Sequence, residues 1–191
     1  MLNYQDSNKS EISSILISSS ILTIASFVSS NSIARNRSSL KTIPKPLLTV
    51  VVVGNGTEYN KLDAWVTTAH PASVSLFSSL PKTEYDELAN ACDVGLIFLD
   101  YRFTIPNYPS RLLSYLTNKK PIIAATDTNC DLGHIAEKNG FGYWCPSNSV
   151  EAFKCVVDKI TVSNLVEMGE RGYYFYNNNY TIQHPYNSIM S

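Results

Sequence analysis

LLTVVVVG (residues 47–54) is an unbroken apolar run, rich in β-branched residues, that stops at a glycine. It offers no polar face, so it predicts a strand buried on both sides. Downstream, DVGLIFLD (93–100) and KPIIAATD (120–127) have the same character. ASVSLF (72–77) alternates as a short strand does, and FGYWC (141–145) reads as a last one. The intervening segments change period. TEYNKLDAWVTTA (57–69) sets Leu62, Trp65 and Val66 at helical spacing, and KTEYDELANAC (82–92) does the same with Tyr85, Leu88 and Ala89. PSRLLSYLTN (109–118), DLGHIAEKNG (131–140) and SVEAFKCVVDKI (149–160) read as three more helices, the second closed by Gly140 and the third capped by Ser147 or Ser149.

Repeated alternation of strand and helix predicts an α/β domain, a Rossmann-like parallel sheet with helices on both faces. The chain divides into an atypical Ser-rich, apolar segment (1–46), the Rossmann-like domain (47–160), and a C-terminal helix with a polar tail (161–191). The last helix is expected to run to about Tyr176. Thirteen serines and no glycine occupy the first forty residues. Within them the apolar run 12–28 is diluted by serines and is preceded by Asp6, Lys9 and Glu11, which favours a buried or membrane-surface helix over a spanning one.

A net charge of −1 excludes the broad basic surface of a general nucleic-acid binder. Cys92, Cys130, Cys145 and Cys155 form no CxxC pair, so they read as reduced structural thiols, in keeping with the cytoplasm. His70, His134 and His184 fit no metal or triad spacing and read as surface or turn residues. Asp93, Asp100 and Asp127 lie at strand edges, where capping roles suit them better than Mg²⁺.

Ligands of open parallel sheets bind beyond the carboxyl ends of the strands. Three loops there carry suggestive residues. GNGTEY (54–59) offers Gly54 and Gly56 for close backbone approach, although it is not a dinucleotide fingerprint because Tyr59 takes the place of the third glycine. SSLPKTEY (78–85) offers a Leu80–Pro81 ledge with Lys82, or simply a helix start with Thr83 as its N-cap. FTIPNYPSR (103–111) stiffens the backbone with Pro106 and Pro109, then presents Ser110 and Arg111 where a helix begins. A hydroxyl and a guanidinium fork there suit a phosphate, whereas a cap and a surface cation are the plainer alternative.

VVGNGTEY (52–59), the long block from Leu80 to Asp127, and MGERGYYFYNNNYT (168–181) together resemble the C-terminal, donor-binding half of a GT-B glycosyltransferase. The resemblance is to the family 4 type of capsule and O-antigen assembly and covers about residues 48–182. It implies transfer of a sugar, with retention, from a nucleoside diphosphate donor that is expected to be UDP-linked, without a metal or other cofactor. It implies that Pro109, Ser110 and Arg111 hold the diphosphate, that Leu80, Pro81 and Lys82 border the nucleoside, and that Gly54 and Gly56 lie on the cleft floor. Ser114 or Tyr115 stands where many relatives place a ribose-binding glutamate, so Ser114 is the nucleoside-side candidate. No catalytic nucleophile is implied.

A GT-B enzyme has two Rossmann-like domains, and this sequence reads as one, with an N-terminus expected to be truncated or frame-disrupted. Three readings follow: a donor-binding half with little activity alone, a subunit of a split enzyme, or an inactive remnant. In the second, a separate acceptor-domain polypeptide or the inner face of the membrane would meet the apolar run and the aromatic stretch Tyr173, Tyr174, Phe175 and Tyr176.

Overall fold

The computed structural model describes residues 24–29, 48–56, 59–71, 73–102 and 108–180. The elements in chain order are β1 (Ile24–Ser29), β2 (Leu48–Val53), α1 (Tyr59–Ala69), β3 (Val74–Phe77), α2 (Lys82–Ala91) and β4 (Val94–Phe98). There follow α3 (Arg111–Thr117), β5 (Ile122–Thr126), α4 (Leu132–Lys138), β6 (Gly142–Pro146), α5 (Val150–Thr161) and α6 (Leu165–Asn179). The strands form one sheet in the order β3-β2-β1-β4-β5-β6.

Five of the strands point the same way, as the alternation of strand and helix predicts. β2 pairs in parallel with β3, and β4 with β5 and β5 with β6. β1 is the exception. It lies between β2 and β4 and is antiparallel to both, so the sheet is mixed rather than wholly parallel. Residues 24–28, expected within a helix, belong to this strand, while residues 12–23 of that run lie outside the described residues. The physical reason is twofold. β-Branched and aromatic residues favour extended chain while serine competes with helical hydrogen bonds, and a strand in this slot pairs backbone groups that β2 and β4 would otherwise leave open mid-sheet.

Alternation within the strands sends successive side chains to opposite faces. Val50, Val52, Leu96, Phe98, Ile123 and Ala125 join a core with Leu62 of α1 and with Phe153, Val156, Val157 and Ile160 of α5. The four α5 residues recur at i, i+3, i+4 and i+7, the apolar stripe of an amphipathic helix. On the other face Ile97, Ile122 and Ala124 pack with Leu112, Tyr115 and Leu116 of α3 and with Leu132 and Ala136 of α4. Val51 and Val53 pack on that side with Cys92, Leu80 and Leu88, which closes the sheet under α2. Burying each large apolar side chain contributes about 1.5–3 kcal/mol, so these two layers, not the surface ion pairs, hold the fold.

The helix ends follow local chemistry. Ser149 Oγ accepts the Ala152 N–H at 3.2 Å, the cap expected for α5. Gly140 takes φ +69° and ends the turn after α4, as anticipated. Thr83, by contrast, lies inside α2 rather than capping it, because Pro81 occupies the cap position and its carbonyl receives the Tyr85 N–H at 2.9 Å. Proline suits a place where no donor is needed and φ is already set. α6 runs three residues past Tyr176, to Asn179. It packs closely on the turn after α3, which the missing side chain at Gly169 permits, since a Cβ there would lie 2.0 Å from the Lys119 carbonyl oxygen. Among the described residues no helix is long and apolar enough to cross a membrane.

Candidate functional site

Because β2, β3 and β4 point the same way, the three suggestive loops leave the same edge of the sheet. At β2 the Gly54 N–H donates to the Phe77 carbonyl at 2.9 Å, and the Tyr59 N–H donates to the Gly56 carbonyl at 2.9 Å as α1 begins. Gly54 and Gly56 are half-buried, whereas Thr57 and Glu58 lie outside the described residues. At β3 Leu80 packs down onto Val51, Val53 and Cys92 while Pro81 and Lys82 stand exposed. The Leu80–Pro81 ledge therefore has a buried base and an open rim.

At β4 the loop divides into two described parts, since residues 103–107, with Pro106, lie outside the described residues. In the first part Asp100 is already engaged. It accepts the Arg102 backbone N–H at 2.9 Å and pairs with the Arg102 guanidinium at 2.6 Å. In the second part Pro109 and Ser110 form a tight opening turn, their carbonyls accepting the Leu112 and Leu113 N–H groups at 3.0 and 3.1 Å. Ser110 is exposed and helical in backbone, and its hydroxyl makes no cap bond. The simple capping role is therefore not the one it plays.

Arg111 differs from Arg102 in every respect that matters. Its Nη2 donates to the carbonyl of Phe98, the last residue of β4, at 3.4 Å, and its Nε is enclosed without a partner. The guanidinium lies near the Tyr85 and Tyr115 phenols, and burial pulls its pKa down from the usual arginine range. Burial pushes the Tyr85 phenol up, and the neighbouring arginine opposes that shift. A half-buried cation whose Nε is enclosed, with no carboxylate partner among the described residues, is costly unless something anionic completes it. α3 has only seven residues, so the charge at this corner comes from the side chain more than from the helix.

No protein-family profile matches the chain. Over 117 residues it is 26% identical to the probable glycosyltransferase WbjE of Pseudomonas aeruginosa, a match that spans 61% of this chain and 29% of that protein. Its fold superposes on the crystal structure of WaaG, a glycosyltransferase involved in lipopolysaccharide biosynthesis, with a TM-score of 0.52 at 19% identity. That superposition covers 73% of this chain and 36% of WaaG. The likeness is to the C-terminal half of a GT-B glycosyltransferase. The chain thus spans roughly a third of the length of either protein.

Ser114 and Tyr115, the two residues at the position expected to face the ribose, differ in burial. Tyr115 is fully enclosed with its hydroxyl 3.5 Å from the Leu96 carbonyl, which it faces as a donor, so it points into the core. Ser114 is half-buried one turn after Ser110, and its carbonyl accepts from Thr117 Oγ1 and Asn118 Nδ2. Tyr85 is the residue that sequence reading assigned only to a core face. Its helical spacing with Leu88 and Ala89 carried no sign that it faces Arg111.

The remaining polar residues that the sequence singled out lie apart from Arg111. Asp127 is buried and accepts the Asn129 N–H at 2.8 Å. His70 adopts φ +45° in the turn after α1, and His134 stacks on Trp144 at 5.3 Å, whereas His184 lies outside the described residues. All four cysteines are thiols, three of them buried as expected, whereas Cys155 is exposed rather than structural because it lies off the apolar stripe of α5. Burial, with Glu137 nearby, pushes the Cys145 thiol up to about 12.

The aromatic stretch of α6 does not form one outward face. Phe175 and Tyr176 turn onto the core beside α3, Tyr173 sits over the Lys119 ammonium at 5.0 Å, and Tyr174 alone is largely exposed. A surface groove of about 680 Å³ between α4 and α6, lined by Lys138, Glu167, Arg171 and Tyr174 among others, lies apart from the three loops.

Proposed function

We propose that the chain binds the nucleoside diphosphate of a sugar donor at the carboxyl edge of β2, β3 and β4, as the donor half of a glycosyltransferase. The observation that carries this reading is Arg111, a half-buried cation at the end of β4 whose Nε is enclosed and which has no carboxylate partner among the described residues. A diphosphate would complete it with charge-assisted, fork-matched hydrogen bonds. The exposed Ser110 hydroxyl beside it adds a donor to a phosphate oxygen. Lys82 and the Pro81 rim would border the nucleoside, Ser114 would take a ribose hydroxyl, and Gly54 with Gly56 would leave backbone space beneath.

In transfer, the bond between the sugar's anomeric carbon and the diphosphate oxygen breaks, and negative charge grows on the departing diphosphate. A positioned guanidinium stabilises that charge more in the transition state than in the ground state. In this reading Arg111 supplies the cation, no metal is needed, the donor is UDP-linked, and the sugar keeps its configuration. The acceptor site would belong to a further part of the enzyme, in the same polypeptide or another, that docks against this edge at the cytoplasmic face of the membrane. Without it the reactants are not held together, and proximity accounts for several orders of magnitude in rate.

Calorimetric titration with UDP and GDP, for the wild type and Arg111→Ala, tests the reading. Specific binding that is lost in the variant supports it. A chain indifferent to both nucleotides is instead the inactive remnant.

A further inference from the structure

The turn that presents Ser110 and Arg111 is anchored on its far side by α3, whose Leu112 and Leu116 are fully buried. Its near side begins at Tyr108, which is 41% exposed and belongs to no core cluster. Tyr108 nevertheless has a partner. Its ring lies 5.8 Å from that of Tyr180, the residue that ends α6, seventy-two positions later in the sequence.

Tyr180 is itself held from behind. Its ring meets Phe175 at 5.9 Å and stacks on Tyr176 at 6.4 Å, and its N–H donates to the Tyr176 carbonyl at 2.8 Å. Phe175 in turn packs at 5.1 Å on Phe141, which is fully buried. A chain of rings thus runs from the core through the end of α6 to the start of the turn.

We propose that Tyr180 is a positioning residue, which holds the Pro109–Ser110–Arg111 turn in place for the donor diphosphate by clamping Tyr108. The proposal rests on the donor reading above. Only Pro109 separates Tyr108 from Ser110, and its fixed φ transmits a displacement of Tyr108 to the Ser110 hydroxyl. A turn ordered before the ligand arrives loses less freedom on binding, so the clamp is read out as affinity. The clamp also gives the C-terminal aromatic stretch a use other than docking.

Tyr180 is 36% exposed, so replacing it leaves the core intact. UDP and uridine are titrated in parallel by NMR against the wild type, Tyr180→Ala, Tyr180→Phe and Arg111→Ala. Tyr180→Ala is expected to weaken UDP about five-fold, the worth of one aromatic contact, and to leave uridine unchanged because the turn meets only phosphate. Tyr180→Phe keeps the ring and should restore UDP to within about two-fold of the wild type. Equal losses for UDP and uridine would mark a general structural role and overturn the proposal. UDP binding that depends on Arg111 but not on Tyr180 overturns it while sparing the donor reading, and a wild type that ignores UDP overturns both.

Discussion

Gly95 in β4 and Tyr115 in α3 occupy each other's space: a Cβ on Gly95 would lie 2.4 Å from the Tyr115 ring. The missing side chain in the strand is the hollow that receives the ring. Tyr115 is one turn beyond Arg111 on the same helix face, so the depth of that ring sets how close α3 stands to β4. It thereby sets where the Arg111 guanidinium meets the Phe98 carbonyl. A residue with no functional group fixes the position of the one that carries charge.

Gly95→Ala therefore has a stated cost. The added methyl meets the ring at its root rather than at a flexible tip, so overpacking should destabilise the domain by about 1–3 kcal/mol. Urea unfolding followed by tyrosine fluorescence measures it. A midpoint unchanged from the wild type would show that α3 yields freely.

Arg111→Ala should separate function from stability. Loss of charge-assisted bonds to phosphate is expected to weaken UDP by at least about tenfold. The thermal midpoint should hold or rise, since the variant removes a half-buried charge that has no acidic partner among the described residues. A fall in both would assign Arg111 to the scaffold.

Ser149→Ala tests the cap of α5. The lost bond to the Ala152 N–H should cost about 1 kcal/mol, read as a shift in the urea midpoint with unchanged slope. UDP affinity should not move.

The thiols supply a pH prediction. Burial holds the Cys145 thiol up at about 12 in the folded chain, well above the ordinary thiol range. Its neutral form is favoured by folding, so it adds stability that is present below about pH 9 and is lost as pH rises toward 12, where only the unfolded chain ionises readily. Burial raises the Tyr85 and Tyr108 phenols in the same sense, with the neighbouring Tyr180 phenol adding to the shift at Tyr108. Stability between pH 9 and 11 should decline less steeply in Cys145→Ala than in the wild type. Under native conditions a thiol reagent should label Cys155 quickly and the three buried cysteines only on unfolding.

Metal removal gives a further check on the site. With Arg111 as the cation for the diphosphate, EDTA should leave UDP affinity unchanged. A marked loss on chelation would assign the charge neutralisation to a metal ion.

Much of this protein is legible in one dimension. Residues 48–53, 94–98 and 122–126 are strands because unbroken apolar, β-branched runs of that length have no other way to bury both faces. The five co-directional strands, the helices between them and a serine cap at position 147 or 149 follow from local periodicity and hydrogen-bonding capacity. So does the choice of the Pro109–Ser110–Arg111 turn as a candidate, since stiff backbone, hydroxyl and guanidinium are properties of the residues themselves. Other features needed the third dimension, because they depend on which distant groups become neighbours. Serine-diluted residues 24–29 carry too weak a pattern to fix their partner, and only the open slot between β2 and β4 makes them a strand. That Arg111 reaches the Phe98 carbonyl and has no acidic partner among the described residues, that Tyr115 hides beneath Gly95, and that Tyr180 reaches Tyr108 are relations between residues far apart in the chain. Burial and pairing are properties of the assembled packing, and packing is what no single segment contains.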